Sequence, residues 1–578
     1  MKANAKKSNG VHYTPNSLAE RLAKTMLSYA VVGDAPLRVV DPAVGDGELL
    51  YALANAAISK GVGVSLAGSD IDENAVLLAQ ARLETLVPAG HTNIAVSDFL
   101  EKVDKPAPKT LFSISDDPWT ADLMIANPPY VRTQVLGAAK VQRLTEKFDL
   151  TGRVDIYQAF IKAISWSLIP GGITGIIIPN RFMTVRGGAE IRAFLLKNFD
   201  VLEVWDLGDT RVFEAAVLPA ILILQKKSHS TRLVKTLFKS VYRTIDPQEN
   251  LRVVENVCDA LDAPGTVRTR SGDTLKVLNG GLDHGNSDEG VWRISTESNE
   301  DWLDTVAKHT FCTFRDVGKV RVGVKSTADN VFLRKSWQDI REPELLRPVT
   351  THHVARSYRA HPISRQILYP HAVIDGKRVV VDLEQYPISK RYLEDFRSQL
   401  EGRSYLMDSG REWYELWVPQ SPQMWAMPKV VFRDISENPT FWLDMEGTVV
   451  NGDCYWIVSE NGDENELWLL LAVANSRFIE DFYDHRFNNK LYAGRRRFMT
   501  QYVEKFPLPD PRLSSSRGLI ARVKRIYQGL EAGEDMSHER ALIEAEVYAC
   551  FGIRRPESSV FSAMESEAFD SEPFPQTA

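Results

Sequence analysis

The first 230 residues alternate short apolar runs with helical patterns, and this alternation limits the fold more than any other feature of the sequence. The runs LRVV, VSLAG, ADLMIA and ITGIII are mainly apolar and do not alternate with polar residues, so each predicts a strand that is buried on both sides. Repetition of strand, helix and strand places the helices on those faces. We therefore predict an α/β domain with a doubly wound, mostly parallel sheet. In such sheets ligands bind beyond the carboxyl ends of the strands.

The 578 residues are too many for one ordinary domain, and the composition changes along the chain. We predict a catalytic domain over 1–235, in which DIYQAFIKAISWSLIPGG is one helix that ends at Pro170. Residues 236–300 are polar and glycine-rich, which predicts a connector with weak structure of its own. Short, aromatic-rich segments predict a separate α+β domain over 301–510, with most of its tryptophans in the core. For residues 511–578 we predict a helical tail, made of one helical stretch that is followed by a disordered end.

The composition also excludes several classes of protein. No apolar run is long enough to cross a bilayer, and no apolar segment follows the basic N-terminus as in a signal peptide. The four cysteines lack metal-ligand spacing, which is typical of reduced thiols in a cytoplasmic protein. A net charge of −7 argues against a sequence-independent coat for nucleic acid, but it permits a local basic surface.

Asn127-Pro128-Pro129-Tyr130 follows an apolar strand and is the strongest chemical signal in the sequence. An aromatic amine is a poor nucleophile, and it becomes a better one when acceptors hold its two hydrogens. The Asn127 side-chain oxygen and the Pro128 carbonyl are suited to that task, because the prolines fix the direction of the carbonyl. Tyr130 offers a flat face on which a base could stack. A plain surface turn is the alternative interpretation of an Asn-Pro pair.

Three acids follow the ends of neighbouring predicted strands. Asp41 opens the turn DPAVGDG, whose glycines permit a close approach of backbone to a ligand. Asp70 ends the second strand, and Asp98 precedes Phe99 in NIAVSDF. The turn is not the dinucleotide-binding GxGxxG pattern. Carboxylates at these positions suit a ligand with positive charge and hydroxyl groups, although each acid alone is as typical of a capping or surface residue.

In this order, these motifs resemble those of the gamma-class adenine-N6 DNA methyltransferases of restriction–modification systems. His12-Tyr13-Thr14-Pro15 precedes DPAVGDG, then come DID at Asp70, SDF at Ser97, and NPPY at Asn127. The resemblance implies a seven-stranded methyltransferase sheet, S-adenosyl-L-methionine as cofactor and direct methyl transfer to N6 of an adenine flipped out of duplex DNA, without a metal. The cofactor-binding residues that it implies are Tyr13, Thr14, Pro15, Asp41, Pro42, Ala43, Gly45, Gly47, Asp70, Ile71, Asp98, Phe99 and Asn127.

The same resemblance assigns catalysis to Asn127, Pro128 and Tyr130, and stacking on the base to Tyr130 and Phe213. Phe213 follows a Leu-Gly turn, and plain core packing is the alternative for it. The second domain resembles the family's target-recognition domain, so we expect duplex DNA to bind in the cleft between the domains. A basic stretch over 345–378 and the cluster at 495–497 supply candidates for DNA contact. These candidates are Arg321, Lys325, Arg356, Arg359, Arg495 and Arg496.

Two other functions remain open at this point. NPPY chemistry also serves enzymes that methylate a protein amide or a base of RNA, and a non-catalytic subunit could keep the fold for DNA recognition alone. We see no metal-dependent nuclease motif and expect any cleavage to be performed by a separate restriction endonuclease. We expect the protein in a bacterial or archaeal cytoplasm.

Overall fold

A computed structural model gives the fold of the chain. It describes residues 14–87, 90–105, 119–130, 138–151, 155–213, 218–228, 235–244, 250–285, 287, 290–337, 341–487 and 495–554. The chain divides into two compact units. Unit 1 comprises Met1–Glu297 with Phe487–Gly494, and unit 2 comprises Ser298–Arg486 with Arg495–Ala578.

Unit 1 is built on a twelve-stranded sheet with the order β3-β2-β1-β4-β5-β7-β6-β8-β11-β10-β9, in which β12 pairs with β11. Its strands are β1 (Leu37–Asp41), β2 (Val64–Asp70), β3 (Thr92–Val96), β4 (Ala121–Ala126), β5 (Leu168–Pro179), β6 (Phe199–Asp206), β7 (Pro219–Lys226), β8 (Leu237–Arg243), β9 (Arg252–Val254), β10 (Gly265–Thr269), β11 (Thr274–Asp283) and β12 (Arg293–Ser295). Strands β1 to β5 pair in parallel, whereas β7 runs antiparallel to both β5 and β6. The predicted doubly wound, mostly parallel α/β sheet is confirmed in these first seven strands.

The expectation of a weakly structured connector over 236–300 is wrong. Strand β8 pairs in parallel with β6, and β11 pairs antiparallel with β8 over seven residue pairs, so this segment extends the sheet from seven strands to twelve. Its apolar residues are sparse but alternate with polar ones, and Val267, Leu275 and Val277 are buried in the core of unit 1. Gly, Asp and Asn in the turns concealed this period-2 pattern at the level of composition.

Helices cover both faces of the sheet. They are α1 (Asn16–Tyr29), α2 (Glu48–Ile58), α3 (Glu73–Leu83), α4 (Phe99–Lys102), α5 (Ala138–Lys147), α6 (Ile156–Ser167), α7 (Ala189–Asn198) and α8 (Val257–Ala260). One apolar cluster joins α1, α2 and α3 to the sheet, and a second joins α4 to α7. The apolar positions of each helix therefore lie against the strands, as the sequence pattern predicts.

The helix predicted to end at Pro170 is shorter in the structure. α6 ends at Ser167, and β5 begins at Leu168 and includes Pro170. The pairing between β4 and β5 shifts register between Ala121 and Leu123, which accommodates a proline and a Gly171 with φ +84°. A strand can contain proline at such an irregularity because no ladder hydrogen bond is lost there.

Unit 2 contains short strands and helices, as predicted for an α+β domain. The strands are β13 (Cys312–Thr313), β14 (Arg321–Val322), β15 (Leu333–Arg334), β16 (Leu346–Thr350), β17 (Gln366–Leu368), β18 (His371–Ile374), β19 (Lys377–Val380), β20 (Lys429–Arg433), β21 (Ile435–Ser436), β22 (Phe441–Asp444), β23 (Val449–Val450), β24 (Cys454–Ile457), β25 (Arg496–Arg497) and β26 (Pro507–Leu508). The helices are α9 (Glu297–His309), α10 (Phe314–Val317), α11 (Asp329–Phe332), α12 (Pro387–Glu394), α13 (Arg397–Glu401), α14 (Ser404–Met407), α15 (Glu464–Ala474), α16 (Arg477–Phe487), α17 (Thr500–Val503), α18 (Ser514–Ala532) and α19 (Ser537–Cys550).

Tryptophan dominates the core of unit 2, as predicted, with Trp425, Trp442 and Trp456 fully buried. The tail has two helices where the sequence predicted one stretch, because α18 ends at Gly533 in the left-handed conformation. Both helices belong to unit 2. Within the described ranges every helix is too short or too polar to span a lipid bilayer.

Candidate active site

The order β3-β2-β1-β4 brings the polar motifs together at the carboxyl ends of four adjacent parallel strands. They line one pocket in unit 1. Its lining residues are Thr14, Asp41, Pro42, Ala43, Val44, Gly45, Asp46, Glu48, Leu49, Asp70, Ile71, Asp72, Ser97, Asp98, Phe99, Asn127, Pro129, Lys140, Ile156 and Phe160. Ten of the thirteen predicted cofactor-binding residues are among them. No group of three or more His, Cys, Asp or Glu side chains within the described ranges is placed to bind a metal ion.

Asn127 stands directly after β4 with both ends of its amide bonded. Its Nδ2 donates to Thr14 Oγ1 at 3.2 Å, and its Oδ1 accepts from the Tyr130 hydroxyl at 2.7 Å. The same hydroxyl lies 3.2 Å from the Ile177 carbonyl of β5. Burial raises the pKa of Tyr130 above its usual value, so the hydroxyl stays protonated and remains a donor. The Asn127 side chain is thereby fixed in orientation.

Asp41, at the end of β1, is the most perturbed carboxyl of the pocket. It is 1 % exposed, and its Oδ1 accepts from the Ala43 backbone at 3.0 Å. Its Oδ2 is buried and has no hydrogen-bond partner among the described residues. Burial, with the nearby charges of Asp70 and Asp46, raises the pKa of Asp41 to about 8. An unpartnered buried carboxyl oxygen in a pocket suits a ligand that brings an N–H donor or a positive charge.

Asp70, at the end of β2, is held by the backbone on two sides. It accepts from the amides of Gly45 and Asp72, each at 3.0 Å. Gly45 has a φ of +52°, which lets the turn after β1 face the carboxylate. Two bonds leave further lone pairs on the carboxylate for hydroxyl donors of a ligand. The adjacent Ile71 is a largely exposed apolar side chain that lines the pocket.

Asp98 and Phe99 form a third wall of the pocket. Asp98 caps α4 through one oxygen and binds Lys140 Nζ through the other, at 2.9 Å. Phe99 packs edge-on against Trp119 with 5.2 Å between ring centroids, and parallel to Phe160 at 6.1 Å. A fixed carboxylate beside an aromatic wall is suited to a flat, amine-bearing ring.

The sequence analysis missed several residues of this pocket. Lys140 lies in a polar helix without a recognisable motif. Ile156 and Phe160 carry a weak signal, because they occupy i and i+4 positions on one face of α6. Glu48 directly follows the DPAVGDG turn, and this adjacency was its signal. It accepts from Asn16 at 2.9 Å and pairs with Arg82 at 2.6 Å.

Two of the predicted cofactor residues that the structure describes do not line the pocket. Pro15 precedes α1 and accepts backbone N–H groups of its first turn. Gly47 precedes α2 with a φ of +83°, and a Cβ there would stand 3.0 Å from the Ala79 backbone. Tyr13 lies outside the described residues. Pro15 and Gly47 therefore shape the loops around the pocket.

Phe213, the second candidate for stacking on a base, lies elsewhere. It is 7 % exposed and belongs to the apolar cluster that joins α1 and α2 to the sheet, together with Trp205 and Leu207. This position favours the alternative interpretation of Phe213 as a core residue, and we assign it no contact with a base.

Among the candidates for DNA contact, the structure argues against Arg496. Its guanidinium bonds to both oxygens of Asp484 at 2.9 Å and pairs with Glu480 at 3.2 Å. These carboxylates raise the pKa of Arg496 further above its usual value, against the effect of burial. A buried arginine paired in this way holds unit 2 together, because removal of either partner would leave an uncompensated charge. We therefore withdraw Arg496 as a DNA contact.

The other candidates differ in exposure. Arg359 pairs with Glu531 at 2.7 Å and stacks on Tyr527 at 4.4 Å, so it too is engaged within unit 2. Arg356 lines the same cleft as Arg359 and donates to its carbonyl. Arg321 is engaged as well, because it lies over the Trp456 ring at 5.4 Å and donates to the Lys319 carbonyl. Lys325 is exposed and Arg495 is half-buried.

Comparison with known families gives two matches along the chain. Residues 65–213 match the Eco57I restriction-modification methylase family, and residues 372–508 match the TaqI-like C-terminal specificity domain. The first match covers the segment from β2 to Phe213, including NPPY. The second covers just under half of unit 2.

Individual relatives extend the similarity to the whole chain. The type II methyltransferase M.BanIII of Aneurinibacillus aneurinilyticus is 35 % identical over 573 residues, which cover 95 % of this chain and 98 % of that protein. M.PaeR7I of Pseudomonas aeruginosa is 24 % identical over 82 % of both chains. The DrdV–DNA complex shares the fold, with a TM-score of 0.50 at 12 % identity over 91 % of this chain and 58 % of that chain. The chain therefore belongs to the type II methyltransferases of restriction–modification systems.

Proposed function

We propose that this protein transfers a methyl group from S-adenosylmethionine to N6 of an adenine flipped out of duplex DNA at a specific sequence. The observation that carries the proposal is the bonded arrangement of Asn127, Thr14 and Tyr130 beside the pocket. Among nucleobases, an exocyclic amine is the group that needs two acceptors during methylation. The Asn127 side-chain oxygen and the Pro128 carbonyl would hold its hydrogens.

The pocket residues fit S-adenosylmethionine by their chemistry. The unpartnered Asp41 oxygen suits a cationic amino group, the fixed Asp70 carboxylate suits hydroxyl donors, and Asp98 with Phe99 suits an adenine ring. When bound, the cofactor supplies a methyl group already activated on a sulfonium. A strong general base is unnecessary, because the neutral amine attacks and its extra proton leaves later. Asn127 holds the amine towards tetrahedral geometry, which stabilises the transition state.

We assign target reading to unit 2, since its match to a specificity domain supports that role. We infer that duplex DNA contacts both units, unit 1 for methyl transfer and unit 2 for reading of the target sequence. Flipping the adenine costs a few kcal/mol in lost stacking. Contacts of the flipped base with the pocket offset that cost. Tyr130 supplies a face for stacking while its hydroxyl holds Asn127. A separate restriction endonuclease that cleaves the same site is the partner we expect.

The first test is to map methylation in DNA of a methylation-deficient host that expresses the chain. We expect N6-methyladenine in one short motif. Asn127→Ala should lower the methylation rate at least about 100-fold, as loss of a positioned acceptor or donor does in other enzymes. Cofactor affinity should stay near that of the wild type. The control is Asn55→Ala, which removes an exposed asparagine from α2 and should change nothing.

Tyr130→Phe separates the two roles of Tyr130, because it keeps the ring and removes the hydroxyl. We expect turnover to fall roughly 5- to 10-fold, the value of one hydrogen bond, and Tyr130→Ala to fall further. Methylation confined to cytosine, RNA or a protein amide would replace the proposed substrate. Cofactor binding without transfer to any of these would favour a recognition subunit.

A further inference from the structure

Strands β18 and β19 form a two-stranded hairpin that belongs to no larger sheet in the described part of the chain. Four residue pairs hold it together, from His371 opposite Val380 to Ile374 opposite Lys377. The two turn residues, Asp375 and Gly376, both have positive φ, at +50° and +72°. Aspartate and glycine in this conformation form the tight turn that matches the natural twist of a hairpin. The hairpin is therefore a well-defined element at its tip.

The base of this hairpin is fixed to the core of unit 2. His371 is 2 % exposed, and burial lowers its pKa to about 3, so it is neutral and its Nε2 accepts from the Leu416 amide at 3.3 Å. After β19, Val381 donates its amide to the Pro370 carbonyl at 3.1 Å and accepts from the Tyr414 hydroxyl at 2.8 Å. A projecting ribbon with an anchored base can contact a partner without first losing much conformational freedom.

The tip of the hairpin exposes apolar side chains to solvent beside charged ones. Six consecutive residues, 373–378, are exposed. Val373 is 37 % exposed and Ile374 is 60 % exposed. Opposite them stand Arg378 and Lys377, so each face of the ribbon carries one β-branched side chain and one cation. Exposed β-branched residues on a free ribbon favour unwanted strand pairing, which makes a dedicated partner the better account.

We propose that this hairpin, residues 371–380, enters the major groove of the DNA duplex and reads part of the target sequence. The major groove is about 12 Å wide and about 8.5 Å deep and admits a two-stranded ribbon. Two residue steps from Val373 to the turn at Asp375 extend about 7 Å, so the exposed tip fits within that depth. This inference rests on the proposed function, because it requires DNA as the substrate.

The side chains at the tip match the groups that the major groove displays. Lysine and arginine bond to the O6 and N7 acceptors of guanine, and aliphatic side chains contact the methyl group of thymine. Lys377 makes no ion pair within the described ranges. Arg378 donates one of its N–H groups to the Gln420 carbonyl at 3.0 Å, which fixes the orientation of its guanidinium. The exposed tip carries two cations, Lys377 and Arg378, and one anion, Asp375, so it is net positive in a chain of net charge −7. A duplex with a phosphate on every nucleotide is complementary to that charge.

The test uses a double variant that carries both Ile374→Ala and Lys377→Ala, and compares it with a matched control. The control is Val253→Ala with Lys276→Ala, which removes an equally exposed β-branched residue and a lysine from strands of unit 1. Dissociation constants are measured by fluorescence anisotropy on two duplexes. One carries the sequence motif that the wild type methylates, and the other is a scrambled duplex of the same composition. Thermal stability and cofactor affinity are measured for every variant.

We expect the hairpin variant to bind the motif duplex at least about 10-fold more weakly, and its preference over the scrambled duplex to fall. Stability and cofactor affinity should match the wild type. Lys377→Gln, which keeps the length of the side chain without its charge, should produce part of the loss and guards against a folding defect in the double variant. The control should bind both duplexes as the wild type does.

Two failures are distinguishable in this design. If the wild type modifies no DNA in the host, the proposed function fails, and the role of the hairpin as a reader of the target fails with it. If the wild type methylates a motif and the hairpin variants keep its affinity and preference, only the hairpin proposal is overturned.

Discussion

At the scale of single residues, the site depends on polar groups whose partners come from distant parts of the chain. Asn127 is held by Thr14, which is 113 positions earlier, and by Tyr130 in its own motif. Asp41 is the opposite case, because one of its buried oxygens has no partner among the described residues. The first arrangement fixes a side chain for catalysis. The second stores an unfavourable burial that a bound ligand can relieve.

Asp41 should make folding stability depend on pH in a defined direction. Its carboxyl has a pKa of about 8 in the folded protein, against 3.8 for an exposed aspartate. Between these values the folded state holds the proton more tightly, so stability falls as pH rises from about 4 to about 8. The slope is at most about 1.4 kcal/mol per pH unit.

Asp41→Asn removes this titration, so the free energy of unfolding of the variant should change less with pH than that of the wild type. Urea denaturation of both proteins across this range, without cofactor, measures the difference. Other buried carboxyls such as Asp206 titrate in both proteins, so their contributions to the pH dependence cancel in the difference between the two. A constant difference between the two proteins from pH 4 to pH 8 would contradict the assigned pKa.

At the scale of elements, the turn between β1 and α2 decides where the pocket forms. Gly45 and Gly47 both have positive φ, yet their surroundings differ. A Cβ on Gly45 would meet nothing within 4 Å, whereas a Cβ on Gly47 would lie 3.0 Å from the backbone of Ala79 in α3. Gly45 therefore serves backbone conformation alone, and Gly47 also serves the packing of α2 against α3.

The pair Gly45→Ala and Gly47→Ala tests this difference. Both substitutions place alanine in the left-handed region, at a cost of about 1–2 kcal/mol. Gly47→Ala should cost about 1–3 kcal/mol more, because helix α3 must move to accept the methyl group. Urea denaturation without cofactor measures both values. Equal losses of stability would show that contact with Ala79 is unimportant.

At the scale of the whole molecule, unit 1 is larger than the catalytic segment that its motifs delimit. Strands β8 to β12 continue the sheet beyond β6, and they bury Phe238, Val241 and Val277 against it. Without them β6 would become an open edge beside exposed apolar residues. The segment is therefore part of the folding unit that carries the site.

A comparison of two fragments tests this conclusion. Residues 1–297 should give a monomer with a cooperative thermal transition, whereas residues 1–235 should aggregate or melt without cooperativity. Both fragments lack 487–494, so they differ by the segment that contains β8 to β12 and the short helix α8. Size-exclusion chromatography and circular dichroism measure the outcome. A monomeric, cooperative 1–235 fragment would restore the interpretation of 236–300 as a connector.

The sequence by itself determined the parallel strands, their covering helices and the motifs at their ends. Apolar runs such as β4 and glycine-rich turns such as that after Asp41 impose local structure, and strand ends in a parallel sheet share one edge. The order of Asp41, Asp70, Asp98 and Asn127 was therefore enough to predict one pocket.

Only the tertiary structure decided which other side chains complete that pocket and which candidates are engaged elsewhere. Lys140 reaches the site through its contact with Asp98, which is 42 positions earlier. Arg496 turns inward to Asp484, although a basic cluster predicts an exposed residue. The extension of the sheet by β8 to β12 depends on pairing with β6, which no local pattern specifies. Local preferences act within a few residues, whereas burial and ion pairing depend on the neighbours that folding brings near.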